Sequence, residues 1–270
     1  MLGDPVCFRI GPLSVHWFGL FLAAGFLAAL AIWSWIGRRE RRDLAFCSDL
    51  LFWVLVSGIA GARLAYVIAD LPEYLKHPLS ILRVDQGGLI YYGGFLGATA
   101  AVAVFAHRRK EPFLRIADLV ATALPLAHAL GRLGCFVNGC CYGKPFSGAW
   151  GVSYPADSAP WWGQVNARII PNDWPRSLPV HPVQLYEAAF NVALCALLVF
   201  TYQRRNKKDG AVVALYFILY PAWRLWVETL RGDERVQAMG LSVAQDVSLF
   251  FMLLGLGLAL HLRKRRDAAL

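Results

Sequence analysis

Residues 14–42 read SVHWFGLFLAAGFLAALAIWSWIGRRERR, an apolar run that carries no Lys, Arg, Asp or Glu until Arg38 and then ends in a cluster of arginines. A helix needs about 20 mainly apolar residues to cross a hydrocarbon core, and this run supplies them. It is too long for a signal peptide, no basic segment precedes it and no small-residue cleavage site follows, so it reads as a retained span. Composition extends that reading to the whole chain. Of 270 residues, 57% are hydrophobic and 17% charged, with a mean hydropathy of +0.46, whereas a soluble domain has roughly 45–50% apolar and about 25% charged residues. Disorder, collagen and nucleic-acid-binding modules are excluded.

Six further stretches are long and apolar enough, which gives seven spans near 14–36, 46–69, 88–106, 113–134, 183–203, 211–230 and 241–262. The expected fold is an all-α polytopic membrane protein, one integral membrane domain over 1–270. The third span is the weakest, because GGLIYYGGFLG (87–97) is rich in glycine. Glycine is nevertheless tolerated in membrane helices and lets backbones approach closely.

The basic residues are unevenly placed. Arg38, Arg39, Arg41 and Arg42 follow the first span; Arg108, Arg109 and Lys110 the third; Arg204, Arg205, Lys207 and Lys208 the fifth; Arg263, Lys264, Arg265 and Arg266 the seventh. These runs hold more than half of the 27 Lys and Arg and fall on one side. The opposite face has only the scattered Arg9, Lys76, Arg83, Lys144, Arg168, Arg176, Arg231 and Arg235. The positive-inside rule then puts the N-terminus outside and the C-terminus in the cytoplasm. The net charge of +9 is thus topogenic and lipid-facing, and no nucleic-acid partner is expected. On the outer face, residues 71–87 (LPEYLKHPLSILRVDQG) suit an interfacial arm. Residues 135–182 form an insertion rich in Pro, Gly and Trp, read as an irregular head too long for a bare connector and too broken for a helix.

Ionisable side chains within spans cost at least about 2.5–3.5 kcal/mol each, so each needs a partner or a task. They are Arg63, Asp118, His128, Arg132, Glu187, Arg224, Glu228 and Asp246. Interhelical ion pairs account simply for Arg63, Asp118, Glu187 and Asp246. The spacing of Arg224, Glu228 and Arg231 puts all three on one face of the sixth span, and His128 and Arg132 stand four apart in the fourth. Arg132 and Arg224 project to the depth of lipid phosphates, and a guanidinium grips phosphate with a planar fork of donors. A phospholipid headgroup is the expected ligand.

The stretch GRLGCFVNGCCYGKP (131–145) resembles the signature of bacterial prolipoprotein diacylglyceryl transferases. GARLAYVI (61–68), HPLSILRVDQGGLIYYGGFLG (77–97), IADLVATALP (116–125), HPVQLYE (181–187) and YPAWRLWVETLRGD (220–233) follow in that family's order. The resemblance implies transfer of the diacylglyceryl group of phosphatidylglycerol to the lipobox cysteine of a prolipoprotein signal peptide, with release of glycerol 1-phosphate. It implies no cofactor, and it implies the bacterial cytoplasmic (inner) membrane as location. Arg132, Asn138 and Gly143 match the signature, Asp118 the family's aspartate, and Tyr220, Arg224, Glu228 and Arg231 the sixth-span block; His181 opens the HPVQLYE block. Arg63, Asp118, Arg132, Asn138, Gly143, Tyr220, Arg224 and Arg231 form the expected substrate contacts, and Tyr92, Arg132, His181, Arg224 and Glu228 the expected catalytic set. Arg132 and Arg224 are expected to stabilise the leaving phosphate, Glu228 to orient Arg224, and Arg231 to act as gate.

The chain departs from the family's common pattern at Tyr92, where many members have a histidine that is a leading candidate for activating the thiol. A phenol is a poor base unless a neighbouring arginine favours its phenolate. Tyr92, His181 and a phosphate oxygen all stay open as proton acceptor, as does a packing role for Tyr92. Cys135, Cys140 and Cys141 also depart from the common signature. A disulfide on an oxidising face or free thiols both fit, while a metal site has too few well-placed further ligands, so none is expected. Two rival functions share some of these features: a lipid-binding or transporter-like paralogue, and a disulfide-handling protein, against which the absence of Cys-x-x-Cys counts.

Overall fold

A computed structural model describes residues 2–3, 5–11, 13–83, 87–204, 208–233, 237–238 and 240–267, the side chains of Leu13, Ala238 and 265–267 excepted. The expected roles of Arg205, Lys207 and Arg235, and those of the Arg265 and Arg266 side chains, lie outside these residues, as do 84–86 of the arm.

The chain is mostly helical. Among the described residues, six helices are long and apolar enough to cross a membrane: α1 (Trp17–Arg39), α2 (Leu44–Ala69), α5 (Phe113–Asn138), α7 (Val183–Tyr202), α8 (Ala211–Glu228) and α9 (Val243–Asp267). Between α2 and α5 lie the short α3 (Leu71–Lys76), a 3-10 turn at Pro78–Leu82 and α4 (Tyr91–Arg108). Helix α4 stands where the third span was expected, but it is not among the six.

Three expectations need correction. The chain is not purely α: β1 (Val6–Ile10) and β2 (Leu13–His16) pair as an antiparallel hairpin before α1, so residues 14–16 belong to a strand and not to the first span. A second small hairpin, β3 (Gln237–Ala238) with β4 (Leu241–Ser242), precedes α9. The head also contains a helix after all, α6 (Ala159–Asn166). Its Pro160 sits in the first turn, where a missing N–H costs nothing, and Trp161 and Gln164 turn inward.

The chain divides into two compact units, residues 30–119 and residues 1–29 with 120–270. In the first, α2 and α4 pack through small residues. A Cβ on Gly61 would strike the Gly93 carbonyl, and one on Gly97 would strike the Ser57 carbonyl. The glycines of α4 therefore let two backbones meet. Ion pairs Arg42–Glu111 at 2.7 Å and Arg109–Asp49 at 2.8 Å tie the loop after α1 to the α4–α5 connection, and the latter to α2.

In the second unit, Gly25 of α1 sits against Ala127 of α5, and Gly134 against Phe18. Phe190 of α7 stacks on Trp223 of α8 with centroids 4.3 Å apart, and Phe217 of α8 meets Phe251 of α9 at 4.9 Å. The head has its own small core of Tyr142, Tyr154 and Val180. Gln164 closes it by exchanging two hydrogen bonds with the Leu178 backbone, and Trp161 donates to the Trp174 carbonyl at 2.7 Å.

Candidate active site

Two arginines from different helices meet on one carboxylate. Arg132 of α5 approaches Glu187 Oε2 through Nε at 2.5 Å, and Arg224 of α8 approaches Glu187 Oε1 through Nη1 at 2.6 Å. The Glu187 side chain, in the first turns of α7, is only 1% exposed, so the pairs lie where water screens them little. Arg224 is held further by Glu228 one turn along at 2.7 Å, and Glu228 accepts a hydrogen bond from Ser242 at 2.9 Å. Two cations, Arg224 buried and Arg132 partly buried, thus face two buried carboxylates. That pairing offsets the cost of taking these charges out of water.

Arg132 and Arg224 are not equivalent. Arg224 spends both terminal nitrogens on carboxylates. Arg132 meets Glu187 and His128 through Nε, at 2.5 and 3.1 Å. Arg132 thus meets the shared carboxylate through Nε, and Arg224 meets it through its forked end. Helix α5 places Arg132 there by register: His128 is one turn back on the same face, and the His128 ring sits edge-on to Tyr220 of α8 at 5.3 Å.

Arg231 is displaced from its expected position on the face shared with Arg224 and Glu228. Helix α8 ends at Glu228, and Arg231 lies beyond it, paired side-on with Asp233 through two bonds of 2.8 and 2.7 Å. The backbone there is stitched to the signature loop. Gly143 donates to the His181 carbonyl, Lys144 to that of Leu230 and Gly232 to that of Tyr142. A Cβ on Gly143 would lie 2.5 Å from His181 Cβ and 3.0 Å from the Leu230 carbonyl, so only glycine fits this crossing. Asn138 ends α5 and engages the Cys140 thiol.

His181 stacks on Phe146 at 4.0 Å, and its Nδ1 lies 3.3 Å from the Tyr186 hydroxyl, which also accepts from Trp150. Burial pushes its imidazole down, which weakens it as a proton acceptor.

Tyr92, Arg63 and Asp118 belong to the other unit. Tyr92, in the first turn of α4, is partly exposed and edge-on to Tyr91. Asp118 is fully buried in α5. Arg63 was expected to form an ion pair or contact substrate; instead its guanidinium donates to four backbone carbonyls, of Ser80, Ile81, Gly87 and Gly88, and lies over the Tyr66 and Tyr74 rings. It staples the arm to α2. The Ser80 carbonyl also accepts from the Arg83 amide, so the forked cation adds a second bond there while gathering the other three.

All six cysteines are free, and Cys135, Cys140 and Cys141 carry no disulfide between them. The residue that sequence reasoning undervalued is Glu187, assigned only a simple pairing. Its place at the end of the HPVQLYE block was the available signal.

A family model described as prolipoprotein diacylglyceryl transferase matches residues 5–261. The chain belongs to that family. Among its relatives, the phosphatidylglycerol–prolipoprotein diacylglyceryl transferase of Paraburkholderia xenovorans is 36% identical, covering 98% of this chain and 96% of its own. The enzyme of that name from Synechococcus elongatus is 35% identical over 93% and 84% of the two chains. That from Nostoc sp. is 34% identical over 97% and 90%. Every block that a prolipoprotein diacylglyceryl transferase is expected to share falls within the matched span.

Proposed function

We propose that this protein transfers the diacylglyceryl group of phosphatidylglycerol to the lipobox cysteine of prolipoprotein signal peptides. The convergence of Arg132 and Arg224 on Glu187 carries the reading, with family membership beside it. The cysteine sulfur attacks the glyceryl carbon that bears the phosphate. A C–S bond forms as the C–O bond breaks, the thiol proton passes to an acceptor, and glycerol 1-phosphate departs with the bonding pair. Negative charge grows on the phosphate during that step, so a fixed cation at its edge favours the transition state over the bound lipid. Arg132 offers its fork to that oxygen, Arg224, itself held by Glu228, keeps Glu187 in place behind it, and Arg231 with Asn138 and Gly143 shapes the mouth from the signature loop. Tyr220 packs the His128 side. Tyr92, His181 and a phosphate oxygen are the candidate acceptors.

The reading places the enzyme in the bacterial inner membrane with seven spans, the N-terminus outside, and both the 71–87 arm and the 135–182 head on the outer face of one membrane domain. The ties among Arg42, Glu111, Arg109 and Asp49 support a common side for the loops after α1 and α4. Lys208 Nζ donates to the Leu262 carbonyl, which supports the same for the ends of α7 and α9. Leu75, Leu79 and Leu82 are exposed along the arm, as an element lying in the lipid interface would have them.

The test is the mass of a lipobox peptide after incubation with purified protein and phosphatidylglycerol. A gain of one diacylglyceryl group on the cysteine is expected. An unmodified peptide with bound lipid would instead favour a binding protein.

A further inference from the structure

Cys135 lies in the last turn of α5, and Cys140 and Cys141 lie in the turn that follows. Gly139 takes φ 75° and Cys141 φ 61°, a left-handed conformation that an L-residue adopts only where its surroundings impose it. The Cys140 amide and thiol both donate to the Cys135 carbonyl, at 3.1 and 3.8 Å, and Gln184 holds the Cys140 carbonyl at 2.8 Å. The turn thereby folds two thiols back onto a third. All three sulfurs lie within 4.8 Å of one another, each partly buried.

We propose that Cys135, Cys140 and Cys141 form a binding site for one soft, thiophilic metal cation. Three sulfurs about 2.3 Å from a common ion would stand roughly 4 Å apart, so small side-chain rotations bring the set into range. A donor set made only of sulfur selects monovalent copper or a zinc-group ion over harder cations. A closed structural metal site takes four protein ligands. Three suffice for a three-coordinate ion, or for a four-coordinate one that keeps a water.

Charge favours the site. The guanidiniums of Arg231 and Arg132 stand close to Cys141. The same guanidiniums offset the excess negative charge that three thiolates place around a singly or doubly charged ion. Each thiol gives up its proton on binding, so affinity rises with pH.

The probe is cadmium, added to the full-length protein in detergent after treatment with a chelator and a phosphine reductant. One equivalent should bind with an ultraviolet thiolate-to-metal charge-transfer band. It should also protect Cys135, Cys140 and Cys141 from maleimide alkylation, mapped by mass spectrometry, while Cys7 stays reactive. Cys140→Ser should weaken binding by more than about 100-fold, beyond the loss typical of an outer-shell partner. Absence of a one-equivalent band, protection that falls elsewhere, or protection of fewer than three of these thiols overturns the proposal. The protection experiment needs no variant to fold. Neither readout uses lipid or peptide, so this site and the transfer reaction stand or fall separately.

Discussion

Glu187 holds Arg132 and Arg224 with a single carboxylate, and its chemistry is best tested one atom at a time. Glu187→Gln keeps the shape and removes the charge, leaving the Arg132 and Arg224 guanidiniums facing an amide. A loss of about 3–5 kcal/mol is expected, the scale for breaking a buried ion pair, read as a lower thermal midpoint in detergent. Arg132→Ala should leave the protein in the membrane and lower turnover by about 10²–10³, as loss of a fixed transition-state donor does. Lysine at that position should not rescue fully, because an ammonium lacks the planar fork. Wild-type turnover in Arg132→Ala would remove this residue from the phosphate. For residue 92, Tyr92→Phe should cost about 10²-fold, the lower end of general-base effects, and Tyr92→His should restore the rate. If neither substitution changes turnover, the hydroxyl only packs. The four-residue step from His128 to Arg132 was legible in the sequence, because helical register fixes it. Glu187 as a shared hub was not, since which charges meet across helices depends on packing that no local pattern encodes.

At the scale of elements, the helices were legible to within a few residues, because hydrophobic length is the strongest signal a membrane chain carries. What was missed has a common cause. The β1–β2 hairpin and helix α6 are short, and a few residues carry too little periodicity to mark an element. Arg231 was misplaced because helical spacing continues on paper past Glu228, whereas the chain leaves the helix to join the signature loop. That junction makes its own prediction. Gly143→Ala should disrupt the crossing with His181 and Leu230 and lower both stability and transfer, while Lys144→Ala, whose role there is carried by backbone atoms, should be near neutral in thermal unfolding. Likewise Gly61→Val should part α2 from α4, read as earlier unfolding and faster proteolysis of the region. Equal stability would mean that the close approach is not needed.

At the scale of the whole molecule, the proposed orientation is checked by reporter fusions. A fluorescent protein joined after residue 270 should fold and glow in the cytoplasm, and a periplasmic phosphatase fused there should stay inactive; the reverse would invert the topology. The neutral cluster of Arg132, Arg224, Glu187 and Glu228 bears on how the chain is made as well as on what it does. During synthesis Arg132 leaves the ribosome with α5, well before α7 brings Glu187. The nascent helix must therefore wait at the insertion machinery, carrying a cation whose counter-ion does not yet exist. Helices α5, α7 and α8 should partition into lipid as a set and not one by one, and a chain truncated after α5 should be a substrate for membrane quality control.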